Sequence, residues 1–169
     1  PSLMRGEAGL LADLRALAIP FDAYEHAPVF TVGESRDIGF DIPGTDTKNL
    51  FLKDAKGAFW LVTVPAETRV DLKALPTAIG CKRVSFGKAP DMERLLGIVP
   101  GSVTPLAMIN AEPDSVTVVL DAALAQADHM NVHPLRNTGT VSLSGQSVLA
   151  LLSHWGHQPL VAKIPKIAS

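Results

Sequence analysis

Three separated segments of the chain carry polar groups where an ordinary core needs none. Thr47-Lys48-Asn49 places an ammonium and an amide just ahead of the apolar run Leu50-Phe51-Leu52. Val99-Pro100-Gly101-Ser102-Val103-Thr104-Pro105 is a tight loop with glycine between two prolines. Asn131-Val132-His133-Pro134-Leu135-Arg136-Asn137 gathers an imidazole, a guanidinium and two amides around a proline. A lysine at the rim of a pocket is a point charge for a polar substrate, and the neighbouring amide supplies directional hydrogen bonds. Each segment also has a plainer reading. Lys48 fits a strand end pointing into water, Gly101 a turn, and His133 a strand end held extended by Pro134. The residues by themselves leave both readings open.

Other chemistries fall away. His129 and His133 are four apart in a strand-like stretch, a span of about 13 Å, too far for one metal ion. His154 and His157 suit a polar helix terminus. Gly80 and Gly87-Lys88 are misspaced for a phosphate loop, and Ala89 stands where Ser or Thr is required. Ser85-Phe86-Gly87-Lys88 matches a short SxxK pattern without its companion motifs. No GxSxG elbow occurs, and Cys81 has no local activating signature. No metal or other cofactor is expected.

The composition narrows the class of protein. Of 169 residues, 47% are hydrophobic and 19% charged, enough for a sizeable core and unlike a disordered chain. The expectation is one domain over residues 1–169. A net charge of −2 argues against wrapping nucleic acid by bulk electrostatics, but allows a local basic patch. The single cysteine excludes a disulfide framework. With no apolar run near the roughly 20 residues of a membrane span, a cytoplasmic location without membrane association is expected.

The elements that must position the three segments follow from periodicity. Leu10, Leu11, Leu14 and Leu17 recur at helical spacing and Pro20 stops them, predicting a helix over 6–18. Residues 21–26 read as a strand, and 31–38 as a short helix capped by Thr31 with Glu34 completing a capping box. Two apolar runs around Ala55-Lys56-Gly57 predict a hairpin covered on both faces. Pro76 moves the next helix start towards Leu75. Residues 81–86 read as a strand, 90–97 as a helix, and Leu106–Asn110 as another strand. Strand patterns recur up to a helix over 144–155, with a closing strand near 159–163. The fold class is α+β, with a curved, mixed sheet and flanking helices.

Taken in order, YEHAPVFTV, DIPGTDTKNLFLKDAKGAFWLVT, VDLKAL, KRVSF, LLGIVPGSVTPLAMIN, VVLDAAL, NVHPLRN and GHQPLV resemble the prolyl-tRNA synthetase-associated (YbaK-like) editing domains. Within that family the free-standing ProX type is the nearest pattern. The resemblance runs from about residue 20 to 163, and Pro76 departs from it in a segment usually uninterrupted. It implies a barrel-like mixed sheet with a small pocket and deacylation of mischarged tRNA(Pro). Lys48 matches the family's essential lysine, Asn49 its neighbour, Gly101 to Pro105 the GxxxP loop, and His133 the pocket histidine. The implied catalytic pair is Lys48 and His133, with Asn49, Gly101, Ser102, Val103, Thr104 and Pro105 binding substrate.

The implied partners are the acceptor end of aminoacyl-tRNA(Pro) and prolyl-tRNA synthetase. Amides of the 101–104 loop suit an ester carbonyl. A charged Lys48 suits a phosphate or oxyanion, and a neutral one a general base. His133 suits either substrate orientation or narrowing of the pocket. Alanine would be hydrolysed and proline excluded by size, with Val29, Phe30, Leu50, Leu52 and Val103 as candidate walls. Lys82, Arg83, Lys88 and Arg94 are candidates for the tRNA stem. The alternatives are another small amino acid, such as cysteine on tRNA(Pro), and a non-catalytic module binding tRNA or a synthetase.

Overall fold

Leu10 and Leu14, one helical turn apart and fully buried, form the inner face of α1 (Glu7–Ala16). A computed structural model describes residues 5–27 and 42–167 of the chain. The helix and capping box expected over 31–38 lie outside the described residues. After β1 (Asp22–Glu25), the two apolar runs form the hairpin β2 (Thr45–Asp54) and β3 (Phe59–Pro65). Its turn is tied by one buried carboxylate. Asp54 accepts from the amides of Lys56 and Ala58, each at 2.9 Å, and from the Trp60 indole at 3.0 Å.

The second half begins with α2 (Leu75–Ile79), in whose first turn Pro76 loses no hydrogen bond. It continues through β4 (Val84–Phe86) and α3 (Ala89–Leu96) to a 3-10 helix (Pro105–Asn110). Then come β5 (Val116–Asp121), α4 (Ala122–Ala125), β6 (Met130–Val132), β7 (Gly139–Leu143), α5 (Gly145–His154) and β8 (Leu160–Ala162). The 3-10 helix corrects the expectation of a strand over Leu106–Asn110. Pro105 stands in its first turn, and the Thr104 hydroxyl accepts from the Leu106 amide at 3.2 Å, which starts a helical turn. Leu106, Ala107 and Met108 are all buried, so the run shows no period that could separate helix from strand.

The strands form one mixed sheet in the order β1-β7-β6-β2-β3-β5-β8, with β4 pairing off β2. The α+β class with a curved mixed sheet and flanking helices holds; among the described strands the sheet is open, ending at β1 and β8. Two apolar clusters cover the β2–β3–β5 layer. One joins Phe51, Leu61, Val118 and Leu120 to α1, α3, the 3-10 helix and α5. The other joins Leu52, Trp60, Val62, Val64 and Val119 to α2 and Ile164. The hairpin is therefore buried on both faces, as its unbroken apolar runs imply.

β2 is the seam of the sheet. One edge pairs with β3 from Thr47 to Lys53. The other pairs in parallel with β6 at Thr45 and Asp46, then antiparallel with β4 from Leu52 to Asp54. Between these two partners, residues 47–51 have no strand on that edge among the described residues. Gly87 closes the far end of the gap. Its amide donates to the Phe51 carbonyl at 2.8 Å, and a Cβ there would lie 2.3 Å from the Phe51 ring.

Candidate active site

Lys48 and Asn49 sit at this gap and face opposite ways, because successive side chains of a strand alternate. Asn49 shares the Phe51 face and lies opposite Thr63. Its Nδ2 donates to the Val103 carbonyl at 3.0 Å, and its Oδ1 accepts from the Thr63 hydroxyl at 2.6 Å. The amide thus ties the 101–105 loop to β2. Lys48 lies opposite Val64, on the face of Leu50 and Leu52. It is half-buried, and among the described residues its ammonium makes no hydrogen bond or ion pair.

The loop itself is shaped by its glycine and its prolines. Gly101 has φ +95°, a left-handed backbone that favours glycine. The Ser102 amide donates back to the Val99 carbonyl at 3.1 Å. Thr104 is fully buried as the cap of the 3-10 helix. That leaves the amides of Gly101, Val103 and Thr104 without a partner among the described residues, the first two on half-buried residues and the third on a fully buried one. A pair of such donors is the arrangement that suits a carbonyl oxygen gaining negative charge.

The face that carries Lys48 is polar at its β6–β7 end. Met130, Val132, Val141 and Leu143 turn into the first apolar cluster, so the alternate residues Asn131, Thr140 and Ser142 turn away from it. All three are buried, and Asn131 is in register with Asp46. Asn131 Nδ2 donates to Asp46 Oδ1 at 3.0 Å, while its Oδ1 is buried without a partner among the described residues. His133 follows β6, and its Nδ1 lies 3.1 Å from the Gly139 carbonyl. A carbonyl only accepts, so Nδ1 carries the proton, and Nε2 has no partner among the described residues. Burial pushes the His133 pKa below the ordinary imidazole range; the Gly139 bond opposes this and His26 adds to it. His26 stands close by, with Nδ1 2.8 Å from the Ala27 carbonyl and Nε2 2.8 Å from the Thr140 hydroxyl.

Arg136 braces this corner. Its Nε donates to Glu7 of α1 at 2.9 Å, and its two terminal nitrogens bond Glu25 of β1. The guanidinium also fills the space where a Gly139 side chain would go, 2.9 Å from the ideal Cβ position. Leu135 is held at φ +72°, an uncommon conformation for a leucine. The bracing therefore fixes the turn that carries both His133 and its carbonyl partner.

The sequence matches the model of the aminoacyl-tRNA editing domain over residues 26–151, which holds all three polar segments. The chain belongs to the aminoacyl-tRNA editing domain family. It is 35% identical over 142 residues to the prolyl-tRNA editing protein ProX of Acetoanaerobium sticklandii, covering 83% of this chain and 87% of that one. It is also 35% identical over 164 residues to prolyl-tRNA synthetase associated domain-containing protein 1 of Bos taurus, covering 94% and 95%. Among solved structures, a candidate trans-editing enzyme for prolyl tRNA synthetase superposes with a TM-score of 0.68. It has 19% identity over 96% of this chain and 99% of that one, and so speaks for the fold alone.

In this editing domain, Lys48 and His133 are associated with the polar face, while Asn49 reaches the 101–105 loop from the other side of β2. Ser102, Thr104 and Pro105 are buried, and Val103 packs partly against the first apolar cluster. Of the candidate walls, Leu52 is fully buried and Leu50 packs on the second cluster, whereas Val29 and Phe30 lie outside the described residues. Among the described residues no three His, Cys, Asp or Glu side chains gather as a metal site, and no helix is long and apolar enough to cross a membrane. Thr63 and His26 escaped the sequence reading. The first is hidden inside an apolar run, and the second becomes relevant only once β1 is known to pair with β7.

Proposed function

We propose that this editing domain is a trans-acting deacylase that hydrolyses Ala-tRNA(Pro) and spares Pro-tRNA(Pro). The observation that carries the proposal is the open 47–51 edge of β2, with Lys48, which has no ion pair among the described residues, and the half-buried His133 toward one face, and the loop that Asn49 tethers toward the other, so that an ester entering at the edge would meet both sets of groups. An aminoacyl ester is already activated, so the protein needs to orient it, place a water and stabilise the oxyanion. The water oxygen adds to the ester carbonyl, and the tetrahedral intermediate collapses by expelling the ribose oxygen, which takes up a proton. Free amino acid and uncharged tRNA result.

In this reading the Gly101 and Val103 amides hold the carbonyl oxygen. Lys48 neutralises a terminal phosphate or the developing oxyanion. His133 Nε2, the acceptor nitrogen of its ring, faces the substrate's ammonium or the attacking water. Exclusion of proline is a matter of size, since a pocket closed by the His133 turn admits a methyl side chain more readily than a pyrrolidine ring.

The tRNA stem is assigned to the exposed basic residues Lys82, Arg83, Lys88 and Arg94. Two cations flank one exposed edge of the core here: Lys53 Nζ and Arg94 Cζ lie 5.5 and 6.0 Å from the Phe59 ring centroid. Incubation with labelled Ala-, Cys- and Pro-tRNA(Pro), with and without prolyl-tRNA synthetase, tests the reading. Release of alanine alone supports it, and release of cysteine reassigns the side chain. Tight binding with no release of any amino acid removes the enzymatic reading.

A further inference from the structure

The Thr63 hydroxyl has no part in the reaction just described, yet it is fully buried in an otherwise apolar strand. Its neighbours Val62 and Val64 are buried valines, and the hydroxyl is what threonine adds to that shape. A buried hydroxyl is costly unless it is bonded. Here it donates to Asn49 Oδ1 at 2.6 Å from the directly opposed position on β3.

That bond anchors the second end of the Asn49 amide, whose orientation is set by the acceptor-only Val103 carbonyl. With Oδ1 held by Thr63, Nδ2 is aimed at the Val103 carbonyl 3.0 Å away. Without the hydroxyl Asn49 Oδ1 loses its donor, and the side chain keeps one of its two anchors, leaving it free to swing and carry the loop with it. Val103 is the middle residue of the 101–105 loop. Behind the loop, His157 Nε2 donates to the Met108 carbonyl at 2.7 Å and holds the 3-10 helix in place. The Asn49 bond is therefore the tether on the side of the Gly101 and Val103 amides.

We infer that Thr63 is a positioning residue, which acts through Asn49 to set the orientation of the loop amides that meet the reacting carbonyl. The inference rests on the deacylase reading above. Because the amides bind most strongly as charge develops on the oxygen, the effect falls on kcat more than on KM.

Thr63→Val and Thr63→Ser test it, each assayed for steady-state deacylation of Ala-tRNA(Pro) and for hydrogen exchange at the amides of residues 101–104. Thr63→Val is expected to lower kcat roughly tenfold, the scale of one net hydrogen bond, with KM changed by less than about twofold. Exchange at the loop amides should quicken, and Thr63→Ser should restore both. Wild-type kcat and exchange in Thr63→Val overturn the inference. So does an equal loss in both variants that tracks a fall in melting temperature, which makes Thr63 a packing residue. A wild type inactive on every mischarged tRNA removes the deacylase reading instead, and the exchange comparison then still decides whether Thr63 holds the loop.

Discussion

Replacing Lys48 by methionine separates what this residue does for the fold from what it does for the reaction. The side chain is half-buried and, among the described residues, has no hydrogen bond or ion pair to lose. Methionine keeps most of the apolar stem that lies across from Val64. No buried partner is orphaned, so the stability change should stay within about 1 kcal/mol, a shift of roughly 2–4 °C for a domain of this size. The reaction loses a cation at a developing charge, which by the scale of oxyanion-site deletions is about 2.7–4 kcal/mol, or 10²–10³ in rate. Single-turnover deacylation of Ala-tRNA(Pro) and a thermal melt on the same preparation measure both. A kcat/KM within about threefold of wild type, some 0.65 kcal/mol, refutes the assignment of Lys48 to the reaction. A melting temperature lowered by more than about 10 °C refutes the claim that it is structurally unpartnered.

Two further outcomes follow from the buried groups. Because burial depresses the His133 pKa, the unfolded chain binds the proton first as pH falls. Its contribution to stability is complete above about pH 6.5 and declines as the pH drops through the lower folded value. Deacylation that depends on the Nε2 lone pair should therefore survive below pH 6.5, and an acid limb centred at or above that value rejects the role; His133→Ala that begins to release proline assigns the residue to size exclusion. For Asp54, burial pushes the carboxyl up, but the bonds from Trp60, Ala58 and Lys56 outweigh it and the net shift is down. Asp54→Ala should cost about 2–4 kcal/mol in denaturant titrations at pH 7. The difference from wild type should shrink as the pH falls through and below the ordinary carboxylate range, and an undiminished gap at acid pH contradicts the account.

The parts of the fold with a strong period were legible in the sequence. The spacing of Leu10 and Leu14 marked α1, and the apolar runs around Ala55-Lys56-Gly57 marked the hairpin. Pro76 moved a helix start to Leu75, where it lies. Residues Leu106–Asn110 were misread because burial of Leu106, Ala107 and Met108 in a row erases periodicity, and only the Thr104-Pro105 start signal distinguishes the turn from a strand. The candidate residues were legible as polar interruptions, but their partners were not. Whether Asn49 turns to a substrate or to Val103 depends on registers between β2, β3 and a loop more than fifty residues away. Thr63 reads as one more β-branched residue until the strand opposite it is known.

The alternation along β2 also limits how this chain can change in length. Lys48 and Asn49 are adjacent in sequence, but they serve opposite sides of one wall. A single residue inserted or deleted between Asn49 and the 55–58 turn shifts their register with β3 by one and exchanges the faces they serve. A deletion would bring the ammonium opposite Thr63 and carry the amide to the Leu50 position; an insertion would carry the amide to the open Lys48 position and the ammonium to that of Thr47. The order Lys-Asn thus carries the information as much as the composition does. Length variation around this site is expected only in the 55–58 turn and beyond the strand ends, and grafting the motif onto another scaffold requires the strand's phase as well as its residues.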